Sequence, residues 1–346
     1  MRRNTATARL AVLLMMMSLS LWGCDKSNSG QQGSSGGAGA RPTAGAPAVA
    51  PPPAVPDSPD AALAAVAQGL AENKPHVAWD ALPASYQMDV SDLVHQFAAK
   101  MDAEIWIKSF ALIAKASHLL KDKKDMILGM KSVTENPQFD RAKAEQNWDK
   151  VVGFFQTIAT SDAADLGKLK QLDVRQFIAA TGPKLMVQAR AMSAMNEQGG
   201  GQFDQQFDKL KNATFSVVSR DGDTAVVKME VPGETTEDEA FTKVEGKWIP
   251  KDMADEWKAN IENARRGLDE LSTEKLAEKK PQIMQALTTV DGIIDQLAAT
   301  QSPEQFESAM QGAQLQIGFL VMSMMQPPAG TPPAAPDDAT PPPANN

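Results

Sequence analysis

Apolar side chains recur at a helical period over most of this chain, and at a period of two over a single stretch. Leu63, Val66, Ala67 and Leu70 fall three and four apart. They follow Ser58-Pro59-Asp60, which reads as a cap, a proline at the first helical position and an early acid. Residues 74–82 predict a second short helix with Val77 and Trp79 inward, stopped by Pro83. Residues 85–101 predict a helix carrying Val90, Leu93, Val94 and Phe97. Asp102 then reads as the cap of a helix with Ile105, Trp106, Phe110, Ile113 and Leu120, ending near the charged run 121–125. Residues 141–160, with Trp148, Val151, Val152 and Phe155, and residues 174–195 continue the pattern. The latter is kinked near Gly182-Pro183.

The period then shortens. Phe215 and Val217 alternate with Thr214 and Ser216, while Ala225, Val227, Met229 and Val231 share one face. Asp221-Gly222 between these runs predicts a hairpin turn with both residues at positive φ. Residues 241–244 and 247–249 predict a second hairpin about Glu245-Gly246. Helices resume at Met253, with Trp257, Ile261, Ala264 and Leu268 on one stripe. Pro281 marks a joint, after which Ile283, Leu287, Val290, Ile294 and Leu297 continue. Ser302-Pro303-Glu304-Gln305 reads as a capping box, and the last helix carries Phe306, Met310, Ile317, Leu320 and Met324. Its run 317–325 is too short to span a membrane and reads as a buried or partner-facing helix. The expected fold is α+β, predominantly helical, with one small antiparallel meander of three or four strands about 213–250. The folded domain is expected over 59–325.

Composition changes the picture at both ends. Arg2, Arg3 and Arg9 precede an apolar run, 10–21, too short to cross a bilayer, so 1–23 reads as an export signal peptide. Residues 25–58 are Gly, Ser, Ala and Pro with almost no large apolar side chain. Such a segment cannot offset its ordering entropy and is expected to be a disordered linker. The Pro-rich tail 326–346 reads the same way. Leu21-Trp22-Gly23-Cys24 resembles the lipobox of bacterial lipoproteins. That resemblance implies cleavage before Cys24 and a diacylglycerol on its sulfur, so that 24–58 tethers the domain to a membrane of the cell envelope. Asp25 resembles the inner-membrane retention signal of some enteric lipoproteins. The meander with its Gly246-Lys247-Trp248 strand resembles, over residues 213–250, exported cone-shaped domains of the nuclear-transport-factor-like superfamily. That resemblance implies a small binding module.

Charge narrows the partners. Against 34 basic side chains stand 43 acidic ones, a formal net charge of −9, and loss of Arg2, Arg3 and Arg9 with the leader takes it to about −12. An acidic surface disfavours nucleic acid and anionic lipid. The expected partners are the membrane through the lipid anchor and an envelope protein. Cys24 is the single cysteine, so once it is lipidated neither a disulfide nor a thiolate site remains.

Candidate chemistry is sparse. His76, His95 and His118 lack the spacing of a zinc helix and read as ordinary histidines. Gly199-Gly200-Gly201 reads as a flexible joint. Glu234, Glu237, Asp238 and Glu239 read as a solvated loop rather than a calcium site, and Arg220-Asp221-Gly222-Asp223 as a turn. Ser85, beside the sole tyrosine Tyr86, reads as a helix cap. Methionine is abundant, at 18 residues, with Met192 and Met195 in one cluster and Met322, Met324 and Met325 in another. Such clusters resemble thioether sites for Cu(I), but methionine also fills irregular cores and lines adaptable surfaces. These five are the candidate partner surface, and no metal or cofactor is expected. The expected function is a non-catalytic envelope lipoprotein that binds a protein or small apolar ligand through its helical domain. The alternative is an envelope hydrolase using carboxylates in a cleft.

If Cys24 carries the anchor, Cys24→Ala abolishes metabolic labelling of the protein with a palmitate analogue. Label retained in that variant contradicts the assignment.

Overall fold

The computed structural model describes residues 56–136, 139–193, 207–231 and 236–325. Residues 1–55, with the expected leader, Cys24 and most of the expected linker, and residues 326–346, the expected tail, lie outside the described residues, as do Met195, Gly199-Gly200-Gly201 and Glu234. The fold is α+β and predominantly helical, with one four-stranded antiparallel sheet. In chain order the first elements are α1 (Pro59–Ala71), α2 (His76–Asp80), α3 (Ala84–Lys100), α4 (Ala103–Asp122), α5 (Lys124–Gly129), α6 (Lys131–Thr134) and α7 (Arg141–Ala159). Next come α8 (Leu166–Leu169), α9 (Val174–Ala180), α10 (Gly182–Ser193), β1 (Thr214–Asp221), β2 (Thr224–Glu230), β3 (Glu237–Val244) and β4 (Lys247–Pro250). The chain continues with α11 (Lys251–Glu270), α12 (Thr273–Ala299) and α13 (Pro303–Met325). These elements sort into two compact units, each built from two separate stretches. Unit 1 takes the residues up to Lys100 and Thr160–Ser272, and unit 2 takes Met101–Ala159 and the residues from Thr273 onward.

In unit 1 the strands pair in sequence order, β1-β2-β3-β4. Alternation puts Ala225 and Val227 on one face, where they join Phe241 and Trp248 against Ala62 and Leu63 of α1. Trp248 is the largest member of this core, only 4% exposed. Its indole N–H donates to the Asp57 carbonyl at 2.8 Å, and the cationic groups of Arg220 and Lys243 lie 5.1 and 5.8 Å from its ring centre. Asp57, on the linker side of the expected boundary, is therefore part of the fold. A second core gathers Leu70, Ala78, Met186 and Phe207.

Several local expectations need correction. Strand β1 runs on through Asp221, which pairs with Thr224, so the turn residues are Gly222 and Asp223. Only Gly222 has positive φ, at 56°, the requirement of a type II′ rather than a type I′ turn. The second turn does need both, with Glu245 at 49° and Gly246 at 79° between the paired Val244 and Lys247. The alternation of β1 breaks at Val218, where the register shifts between Val217 and Ser219. Glu237, Asp238 and Glu239 sit in β3 opposite Met229, Lys228 and Val227, not in a loop, because β2 extends the ladder past them. Ser58 makes no side-chain cap, whereas Asp102 accepts from the N–H groups of Glu104 and Ile105, each at 3.0 Å.

Unit 2 is helical. Helices α4 and α12 run side by side in the same direction, joined by a polar ladder. Lys280 meets Asp102 at 2.9 Å and Glu104 at 2.8 Å, Lys108 meets Thr288 at 2.7 Å, and Lys115 meets Asp295 at 2.8 Å. At the far end Lys123 donates to the Thr300 carbonyl at 2.6 Å. Helix α7 runs antiparallel to α4, with the Trp148 indole N–H on the Leu120 carbonyl at 2.9 Å and Lys124 on the Glu145 carbonyl at 3.2 Å. The joint expected at Pro281 is absent: α12 passes through it unbroken. The proline forgoes one backbone bond, and α12 lies along α4 on both sides of it, through Lys280 before and Thr288 and Asp295 after. At the start of α13 the Ser302 hydroxyl accepts from the Gln305 N–H at 3.3 Å, and the Gln305 side chain accepts from the Gln301 N–H at 2.9 Å. Phe306 and Ala313 then pack with Ile293 and Leu297 of α12.

Trp248→Ala should lower the unfolding free energy by about 3–5 kcal/mol in urea melts. Val218→Ala, at the exposed bulge, should change it by less than about 0.5 kcal/mol. Equal effects would show that the sheet is peripheral to the fold.

Candidate functional site

Two features have the form of binding sites, one in each unit. In unit 1 an open groove of about 470 Å³ is lined by Ala84, Gln87, Met88, Ser91 and His95 of α3, by Trp79, and by residues 171–175. The α3 residues recur three and four apart, so they form one helical face. Three sets of contacts hold the walls of the groove in place. Pro83 accepts the first helical bonds of α3 from Tyr86 and Gln87, at 3.1 and 3.0 Å, and its ring offers no capping oxygen. The cap comes instead from the β3–β4 turn, where the Glu245 carboxylate accepts from the Ser85 N–H at 3.0 Å. Ser85 is thus the capped residue and not the cap. Its hydroxyl and N–H together hold the Glu245 carboxyl below its ordinary range. Second, Tyr86 stacks on Trp257 of α11 with ring centres 4.0 Å apart, while Asp89 accepts from the Trp257 indole at 3.0 Å and from Arg265 at 2.8 Å. Burial, then the nearby carboxylates of Glu245, Asp89 and Asp255, push the Tyr86 phenol up. Third, Asp80 takes a two-pronged bond from Arg175 at 2.6 and 2.8 Å, and its carbonyl accepts from Lys247 at 2.9 Å.

The polar atoms of the groove are partly committed. Both hydrogens of the Gln87 amide go to the carbonyls of Trp79 and Leu82, at 2.9 and 3.0 Å. Ser91 donates to the Gln87 carbonyl at 2.7 Å. His95 Nε2 lies 3.0 Å from the Leu172 carbonyl, which can only accept, so Nε2 carries the proton. Asp173 caps α9 through the Gln176 N–H at 2.9 Å.

In unit 2 the second feature is the end of α13. At about 1.5 Å per residue this helix is roughly 35 Å long. The core it shares with α12 ends at Ala313. Beyond it Leu315, Phe319 and Met322 are 68%, 72% and 63% exposed. They stand at i, i+4 and i+7, on one face, and residues 308–325 carry no charged side chain. Met322 therefore lies on open surface, Met192 is half-buried in α10, and Met324 and Met325 belong to the helix with side chains outside the described residues. No helix among the described residues is long and apolar enough to cross a membrane.

Of the three histidines, His95 lines the groove, His76 opens α2 with its buried Nδ1 unpartnered, and His118 lies in α4 of unit 2. Among the described residues no three His, Cys, Asp or Glu side chains converge as metal ligands would. The carboxylates with displaced pKa values, among them Asp57, Asp102, Glu245 and Glu307, are displaced downward by hydrogen bonds and cations. That direction favours the ionised form, opposite to what a general acid needs. Gln87, Ser91 and Asp173 escaped the sequence reading. The available signal was a polar residue every fourth position, Gln87, Ser91 and His95, inside an otherwise amphipathic helix. Comparison of the chain with family models, curated proteins and solved structures finds no match.

Glu245 makes unit 1 acid-sensitive. Unfolded, it titrates near its ordinary 4.5, and folded it titrates lower. Its contribution is complete above that ordinary range and is lost as pH falls through the folded value. Melts of wild type and Glu245→Gln should therefore differ at neutral pH and converge on acidification below about 4.5. A gap independent of pH contradicts the assignment of the cap.

Proposed function

We propose that this chain is a non-catalytic cell-envelope lipoprotein, tethered through Cys24, that binds a protein partner through the exposed end of α13. The observation that carries this reading is the row of Leu315, Phe319 and Met322 on a helix end without charge. Large apolar side chains displayed together on a surface mark interaction sites more often than chance scatter does. The spacing i, i+4, i+7 is the one with which a helix enters an apolar groove of a partner. Burying each such side chain on association contributes about 1.5–3 kcal/mol before the costs of binding are subtracted. Three of them suit reversible capture of a partner. The uncharged surface excludes recognition by ion pairs, so the partner groove is apolar. The lipobox-like Leu21-Trp22-Gly23-Cys24 and the Gly/Ser/Ala/Pro composition that follows it support a location at a membrane surface.

A photo-crosslinking amino acid at position 319, introduced in cells, should give a covalent adduct with one envelope protein. Leu315→Asp and Met322→Asp should each reduce its yield several-fold. Adducts with lipid alone, or none, contradict a protein partner at this surface.

A further inference from the structure

The groove of unit 1 is not the surface used in that reading, and its chemistry points elsewhere. Donors on its α3 wall are spent within the fold. Gln87 has both amide hydrogens on carbonyls, Ser91 has its hydroxyl hydrogen on the Gln87 carbonyl, and His95 has its Nε2–H on Leu172. What the three retain is acceptor capacity: an amide oxygen, hydroxyl lone pairs and, in the neutral imidazole, Nδ1. These residues recur at i, i+4 and i+8, so the acceptors form a row along α3. On the facing wall, Arg175 gives two of its five N–H groups to the fork of Asp80, which pairs its charge, and it also lies within electrostatic reach of Asp173. Asp173 uses one carboxylate oxygen for the cap of α9 and keeps the other. The remaining lining is Trp79, Ala84, Met88, Leu172 and Val174, apolar or polarizable, together with Gln171, whose amide both donates and accepts. A groove with surplus acceptors, a carboxylate and an indole is matched by a ligand with several donors, a positive charge and a small hydrocarbon body.

We infer that this groove binds a small protonated organic amine, its ammonium group toward the acceptor row and Asp173, and its hydrocarbon part on Trp79 and Met88. An anion would face lone pairs on α3 and the Asp173 carboxylate, with the Arg175 charge already paired to Asp80, and a neutral alcohol would leave the acceptors short of donors. The net charge of −9 adds a long-range attraction for cations but does not select the groove.

Isothermal titration of the full chain with benzylammonium, benzyl alcohol and benzoate tests this. Benzylammonium should saturate one site, with benzyl alcohol at least about tenfold weaker and benzoate weaker still. Asp173→Asn keeps the helix cap, because asparagine caps as well as aspartate, and removes the charge. It should weaken benzylammonium about fivefold or more and leave benzyl alcohol unchanged. Glu278→Gln removes the same charge from the exposed face of α12 and should leave both unchanged. The inference is overturned if benzylammonium does not saturate, if the three probes bind alike, if Asp173→Asn has no effect, or if Glu278→Gln weakens binding as much as Asp173→Asn.

Discussion

Unit 1 depends on the β3–β4 hairpin, and the hairpin depends on the burial of one indole. Trp248 fills the space between sheet and α1, and its N–H satisfies the Asp57 carbonyl. That anchoring fixes the register of β4 against β3, and with it the two residues of the turn. Glu245 is then delivered to the start of α3, and Lys247 to the carbonyl at the end of α2. A glutamate at positive φ is uncommon, and here its side chain supplies the cap that Pro83 cannot. The groove wall on α3 is thus positioned by residues some 160 positions away in sequence. The stack of Tyr86 on Trp257 and the bonds accepted by Asp89 fasten the same helix from another side.

Unit 2 is organised differently. Its helices are aligned by a row of lysines reaching across from α4 to α12, with Lys280 reaching back. Most of these groups are partly exposed, where an ion pair contributes little individually. Their value lies in register. Pairs at both ends of α4 allow only the parallel arrangement in which Asp102 meets Lys280 and Lys123 meets Thr300. Held this way, α12 offers Ile293 and Leu297 to the first turns of α13.

Much of this was legible in the sequence where the cause is local. The helices follow from apolar spacing, the cap at Asp102 from residue type, the four strands from alternation, and the burial of Trp248 from its place in the meander. The misreadings share one origin, a tertiary contact overruling a local signal. Ser85 has the chemistry of a cap, yet the acceptor comes from Glu245, which no window around Ser85 contains. Pro281 has the chemistry of a break, yet α12 continues through it alongside α4, to which it is joined from Lys280 to Thr300. Asp221-Gly222 marks a turn correctly, but strand pairing moves it by one residue and halves its demand for positive φ. The groove was the least legible feature. Its row of acceptors exists only because each donor has found a carbonyl, and hydrogen-bond partners of that kind are not written in composition or spacing.

The interleaving of the two units has a consequence for how the chain matures. Neither unit is encoded by a continuous stretch, and the chain passes between them three times, after Lys100, Ala159 and Ser272. Synthesis runs from the N-terminus, so α1, α2 and α3 emerge long before the hairpin that completes their core, and α4, which meets α7 early, waits still longer for α12. The early segments of unit 1 have no finished core to fold against while the rest is being made. A polypeptide of this kind remains threadable until late, as any transport route that passes unfolded chains through a narrow pore requires.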